Sequence, residues 1–342
     1  MFISVLASFF ISVFIFNQAN YPLTPPAVGF SMPKNFLSRF NPSTENLRGF
    51  LSDQGRVLGA VEAGIFESRG MLPSGPDKPL GPQRLPQSSD FKVTARSAVA
   101  ESCDDGFAFF THEPDRVAPI ASLTKLMTSL VFLEYNPGWE TIYEIKKEDR
   151  REGGRIYLFL GEKVTVKDLF HLSLVASDNT ATIALVRSTG LSEEEFVKKM
   201  NEKAIGLGLS KTKFSDPVGL NNDNVSTASE MVKLAKNALA EEDIRQATLT
   251  KDYQFKTLNG TQKYVSSTDY LLKNFPNNGL KIIGGKTGYT DVAGYCFVGE
   301  FIDQAGRKIM TVILGGNSSD ERFQETKDLA EWVFSSFAWQ ES

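Results

Sequence analysis

The chain has 342 residues, a net charge of -4, 41 % hydrophobic residues, two cysteines and two histidines. That is enough chain for one large domain with additional segments, and the acidic balance leaves no basic footprint for nucleic acid. Cys103 and Cys296 lack metal-ligand spacing; they could pair in an oxidising compartment, but two buried or free thiols are the expectation, while His112 and His171 stand in no motif that would make either a general base, so both are expected to be structural.

Met1 to Phe16 are almost wholly apolar and run into Asn17, Gln18 and a proline-rich stretch, so residues 1–20 read as an export signal or a membrane anchor. Most of the prolines fall before residue 90. Residues 21–90 are therefore expected to form a poorly ordered linker, interrupted by a weak helical pattern from Asn46 to Phe66.

From Phe91 the texture changes, and residues 91–342 read as one compact domain. Val93 to Glu101 and Gly106 to Thr111 flank Asp104-Asp105-Gly106, a hairpin turn signal. Ser122 to Glu134 reads as a helix with Leu126, Leu130 and Leu133 on its apolar face. Thr165 with Asp168, Ser192 with Glu195, and Thr227 with Glu230 each have the spacing of a capping box. Asn259-Gly260 joins Tyr253 to Thr257 and Thr261 to Val265 in a second hairpin. Leu280 to Thr287, Gly294 to Phe301 and Lys308 to Leu314 follow as antiparallel strands, and Asp320 to Phe337 closes the chain as an amphipathic helix. Strands at both ends with helices between predict an α+β domain in the broad α/β class, its sheet built from both ends of the segment and covered by helices on both faces.

Three short motifs carry chemistry. Ser122-Leu123-Thr124-Lys125 places a hydroxyl and an amine on one helical face, the arrangement of a nucleophile and its base. Lysine acts as a base only when neutral, so its affinity for the proton must fall by roughly 4 kcal/mol, through desolvation and a second cation for which Lys286 is the candidate. Ser-x-x-Lys also occurs at Ser31 to Lys34 and Ser210 to Lys213, where nothing nearby suggests catalysis. Ser177-Asp178-Asn179 lies in a tight loop between two apolar helices and can aim Ser177 and Asn179 into a cleft. Gly284-Gly285-Lys286-Thr287-Gly288 puts glycines in a strand, which marks a close approach by ligand or backbone, and Lys286 with Thr287 suits a carboxylate. A phosphate loop would need a glycine at 280, where Leu280 stands.

In this order the motifs form the signature of penicillin-interacting serine enzymes. The stretch Arg116 to Thr128, together with Ser177-Asp178-Asn179, Asp216-Pro217-Val218-Gly219-Leu220 and Gly285 to Thr290 with Gly294-Tyr295, resembles the D-alanyl-D-alanine carboxypeptidases among the low-molecular-weight penicillin-binding proteins. The resemblance covers roughly residues 91 to 338. It implies a β-lactamase/transpeptidase-like fold with a helical subdomain, and acyl transfer on peptidoglycan stem peptides ending in D-alanyl-D-alanine, with β-lactams as inhibitors. It also implies roles: Ser122 as nucleophile, Lys125 as base, Ser177 as proton relay, Asn179 as holder of the peptide amide, Lys286 and Thr287 as carboxylate clamp. Gly288 and Tyr289 complete the substrate-binding strand, with the N–H groups of Ser122 and Tyr289 as oxyanion hole. No metal or cofactor is implied. The substrate places the enzyme outside the cytoplasm. The chain shows no counterpart of the C-terminal β domain of some members, so a tether is expected only at the N-terminal segment. Nor does it carry the Glu-x-x-Leu-Asn run with which class A β-lactamases direct water, which favours a peptidase over a β-lactamase. Three alternatives remain: a DD-endopeptidase of peptidoglycan cross-links and, less favoured, a penicillin-sensing domain or a β-lactamase.

Overall fold

The computed structural model describes residues 81–275 and 279–339. The apolar segment 1–20, the helical pattern from Asn46 to Phe66 and nearly all of the proline-rich stretch lie outside the described residues.

A five-stranded antiparallel sheet organises the domain. Its strands are β1 (Ser97–Ser102), β2 (Ala108–His112), β3 (Lys281–Thr290), β4 (Gly294–Ile302) and β5 (Lys308–Gly316), in the spatial order β3-β4-β5-β1-β2. Both ends of the domain thus share one sheet, as the element order predicts, and β1 pairs with β5 from Ile309↔Ser102 to Leu314↔Ser97. Along β4, β5 and β1 the side chains alternate at period two between two cores. Phe297, Phe301, Ile309, Ile313 and Ala98 face one core, whereas Cys296, Val298, Met310, Val312 and Val99 face the other.

Helices cover both faces. The helical block contains α1 (Thr124–Glu134), α2 (Val166–Val175), α3 (Asn179–Ser188), α4 (Glu193–Gly206), α5 (Ala228–Ala240) and α6 (Glu242–Leu249), and it buries Leu126, Leu169, Leu185 and Leu234 in the larger core. On the opposite face α7 (Ser319–Ser336) packs Phe323, Leu329 and Val333 against Phe297 and Ile313. Capping fixes where these helices begin. Thr165 and Ser192 form the expected boxes with Asp168 and Glu195. Thr227 caps α5 through Glu230 N–H, but the Glu230 carboxylate does not return to it. That carboxylate accepts Lys211 N–H at 2.9 Å and the Thr212 hydroxyl at 2.5 Å, because the loop before it supplies donors a local pattern does not reveal.

Two boundaries differ from the sequence reading. The first strand starts at Ser97, since Thr94 N–H turns instead to Glu325 Oε1 at 2.5 Å on α7. The linker expected to reach residue 90 ends earlier: Gln83–Arg84 pairs with Phe337–Ala338, and Trp332 Nε1 donates to Ser89 O at 2.8 Å. The indole needs an acceptor at the domain surface, and this segment provides it. Among the described residues no helix is long and apolar enough to cross a membrane. Cys103 and Cys296 are free thiols, as expected. His171 stacks on Tyr253 with ring centroids 4.4 Å apart and shares a hydrogen bond with Lys167 O, a structural role, and His112 pairs with Ala98 at the edge of the sheet.

Candidate active site

A single 3-10 turn, Ala121–Leu123, precedes α1 and carries Ser122 at its centre. Ala121 holds φ at +47°, a left-handed conformation that costs a non-glycine residue of order 1 kcal/mol or more and persists only where the surroundings impose it. Gly219 and Gly288 impose it from two sides. A Cβ on Gly219 would stand 2.0 Å from Ala121 O, and one on Gly288 would stand 2.9 Å from Ile120 O and 3.2 Å from Ser122 N. The glycine at 288 thus lets the backbone of β3 run against the Ser122 turn. Gly284 and Gly285 answer to side chains instead, Leu239 at 2.8 Å and Phe297 at 3.0 Å from the added carbon.

Lys125, one turn into the helix from Ser122, is fully buried. Its Nζ donates to Ser122 Oγ at 2.9 Å, Asn179 Oδ1 at 2.8 Å and Val218 O at 2.8 Å, so its three donors are all used. Burial lowers its pKa from the ordinary lysine value to about 7, against the opposing pull of Asp178 and Asp216. Burial first, then the charges of Lys125 and Arg322, hold Lys286 well below the usual lysine range; repulsion between the two amines is mutual, so Lys286 is the second nearby cation the sequence reading expected.

The Val218 carbonyl is positioned by a loop that Asp216 ties together. Its carboxylate accepts the N–H groups of Val218 and Gly219, each at 2.6 Å, and that of Asn221. Asn224 then fastens the loop to α1 through Thr124 Oγ1 at 3.0 Å.

The loop between α2 and α3 brings in the second motif. Asp178 caps α3 by accepting Ala181 N–H at 2.6 Å, which leaves Ser177 at φ +55° with its hydroxyl turned to the cleft. Lys286 Nζ donates to Ser177 Oγ at 2.9 Å and to Thr287 O at 2.9 Å. Thr287 Oγ1 lies 2.6 Å from Thr268 Oγ1, and Asn179 Nδ2 donates to Gly153 O at 3.1 Å. Six of the eight residues expected at the site, Ser122, Ser177, Asn179, Thr287, Gly288 and Tyr289, line one cleft, and the buried Lys125 and Lys286 reach it through Ser122, Asn179 and Ser177. Its volume of about 740 Å³ suits the end of a peptide.

Sequence reasoning missed Arg322. It reaches the same cleft from α7, nearly buried, donating to Gly288 O and Cys296 O at 3.3 Å each while its guanidinium lies over the Tyr295 ring. In a charged helix its code looks like any surface arginine. Burial brings its pKa down to about 10, still a cation at neutral pH. Among the described residues no group of three or more His, Cys, Asp or Glu stands ready to hold a metal.

A serine hydroxyl bonded to a buried, low-pKa lysine, with the Arg322 cation and a second buried lysine, Lys286, beside the same cleft, defines a serine acyl-transfer site. The comparisons place it within a family. A family model described as D-alanyl-D-alanine carboxypeptidase matches residues 84–318, and the chain belongs to that family of serine peptidases. The chain is 32 % identical over 263 residues to D-alanyl-D-alanine carboxypeptidase DacF of Bacillus subtilis, covering 73 % of this chain and 65 % of that relative's length. It is 38 % identical over 227 residues to the D-alanyl-D-alanine endopeptidase of Haemophilus influenzae, covering 65 % and 75 %. The crystal structure of the Streptomyces K15 DD-transpeptidase superimposes with a TM-score of 0.67 at 26 % identity, over 72 % of this chain and 99 % of that one. The β-lactamase/transpeptidase-like fold expected from the resemblance is therefore the fold observed.

Proposed function

We propose that the protein is a penicillin-sensitive serine D-alanyl-D-alanine carboxypeptidase acting on peptidoglycan stem peptides. One observation carries the reading most: a fully buried lysine amine 2.9 Å from the Ser122 hydroxyl, with its pKa lowered to about 7. Ser122 Oγ attacks the penultimate carbonyl carbon and its proton passes to neutral Lys125. The carbonyl π pair moves onto oxygen, where the N–H groups of Ser122 and Tyr289 receive it. Collapse of this intermediate breaks the C–N bond, and the leaving D-alanine takes a proton delivered through Ser177. Water then repeats the sequence on the ester. Asn179 holds the peptide amide, while Lys286, Thr287 and the Arg322 cation hold the terminal carboxylate. This substrate lies outside the cytoplasm, so export by the segment 1–20, cleaved or kept as an anchor, belongs to the same reading.

Fluorescent penicillin is expected to label Ser122 covalently, and Ser122→Ala to abolish the label; a label that survives in the variant refutes the nucleophile. A pulse of penicillin followed by a chase should show an ester lasting far beyond seconds, because no glutamate of the β-lactamase type is present to direct water. Loss of label within seconds with steady penicillin consumption would make the enzyme a β-lactamase.

Acylation should also rise with pH through about 7, since below that value Lys125 holds its own proton and cannot take one from Ser122. A rate flat from about pH 5 to about pH 9 would remove Lys125 from the base role.

The 38 % identity to an endopeptidase supports a second reading, hydrolysis of cross-links rather than of the terminal D-alanine. Products from pentapeptide monomer and cross-linked dimer, identified by mass, separate the two: release of alanine with the dimer intact is the result expected of a carboxypeptidase.

A further inference from the structure

The mechanism above occupies the end of the cleft that takes the terminal carboxylate and leaves the wall beside Asn179 without a task. A loop running past Asn179 builds that wall. Asn179 Nδ2 donates to Glu152 O at 3.3 Å and to Gly153 O at 3.1 Å, and Leu220 closes on the loop, since a Cβ on Gly153 would stand 3.4 Å from Leu220 Cδ2. Arg155 and Tyr157 continue the loop along the cleft, and Asn222 lines the same cleft two residues beyond Leu220.

The polar ends of these three side chains are unused. Among the described residues the Arg155 guanidinium, the Tyr157 hydroxyl and the Asn222 amide make no hydrogen bond, and Arg155 makes no ion pair. Nearby arginines are already paired: Arg151 meets Glu193 at 2.6 Å, and Arg187 shares that carboxylate. Asp291, the one acid among the described residues that line the cleft, accepts the Tyr289 hydroxyl at 2.8 Å. Arg155 lies instead over the Tyr157 ring, 5.2 Å from its centre, which holds the cation in place without neutralising it. Such a guanidinium suits an anion that the ligand brings, and its fork matches a carboxylate.

We propose that Arg155, with Tyr157 and Asn222, forms a second anion subsite that selects acyl donors bearing a free carboxylate just beyond the amide held by Asn179. The proposal rests on the acyl-enzyme reading given above. Lys286, Thr287 and Arg322 hold the leaving side of the substrate, so a group on the far side of the Asn179 amide faces Arg155. On a stem peptide that group is a carboxylate on the residue before D-alanyl-D-alanine.

Three penicillins that differ at the carbon next to the side-chain amide read this preference. Benzylpenicillin carries only hydrogen there, carbenicillin a carboxylate and ampicillin an amine. Each rate constant for acylation of Ser122 is divided by that of benzylpenicillin on the same protein, so a general disturbance of the loop cancels. In Arg155→Gln the carbenicillin ratio should fall about fivefold, the upper range for an exposed ion pair. Arg155→Glu should lower it further and raise the ampicillin ratio, whereas Arg155→Lys should keep part of the preference because the charge remains. Added salt should shrink the wild-type carbenicillin ratio and change that of Arg155→Gln far less. Ratios that are the same in wild type, Arg155→Gln and Arg155→Glu overturn the proposal, even where all three rates fall together, as they would if Arg155 only supported the loop through Tyr157. A wild-type protein that benzylpenicillin does not acylate at Ser122 sinks the functional reading instead, and the proposal with it.

Discussion

Lys125→Arg should reduce acylation by at least roughly a thousandfold, about 4 kcal/mol of transition-state stabilisation, although charge and length are nearly kept. Guanidinium stays protonated at any working pH and cannot accept the Ser122 proton. Neutral lysine can do so here because burial has brought its pKa to about 7. Lys286→Arg should cost only about tenfold, since the cation there has to attract a carboxylate rather than take a proton. Second-order rate constants for acylation, measured on both variants after circular dichroism has shown them folded, make the comparison. Equal losses would mean that Lys125 is not the base.

The different fates of these two lysines show what a sequence carries and what it does not. Ser122 and Lys125 are legible because their relation is local: three residues on one helical path fix their separation, whatever the rest of the chain does. The Ser177–Asn179 loop is legible for a similar reason, since Asp178 is both a turn residue and the cap of the next helix. That desolvation lowers the pKa of Lys125 is legible from a lysine at an apolar helix start; what removes the water, α1, α3 and the loop at Val218, is not, since no spacing encodes it.

Residues that act only through the fold were missed altogether. Arg322 lies in a helix whose other charged residues are exposed or half-buried, and only the packing of α7 against β4 and β5 turns it toward Tyr295 and the cleft. Glu230 was read as half of a capping box because the donors that claim it, Lys211 N and Thr212 Oγ1, come from a loop some twenty residues earlier. The β3 glycines show the reverse case. Their cost in a strand signals a close approach, and the structure supplies what approaches: Leu239, Phe297 and the Ser122 turn.

Gly219→Ala should be the most damaging single-methyl change in the domain, and Gly154→Ala separates its two causes. Both glycines hold positive φ, +87° and +78°, so both variants carry the left-handed penalty of about 1–2 kcal/mol. At Gly154 an added Cβ meets nothing within 4 Å, and that penalty is all. At Gly219 the same carbon would stand 2.0 Å from Ala121 O and 2.9 Å from Ser122 N, both backbone atoms without a flexible end to move aside. Either the Asp216 loop retreats, taking the Val218 carbonyl from Lys125, or the Ser122 turn gives way, taking Oγ from Nζ. Each outcome dismantles the pair that acylates. Gly219→Ala should therefore lose penicillin labelling by roughly a hundredfold or more and unfold several degrees lower, whereas Gly154→Ala should keep its labelling and lose only stability. If Gly219→Ala labelled at the wild-type rate, the close approach of its loop to Ala121 would not be what holds Ser122 in place.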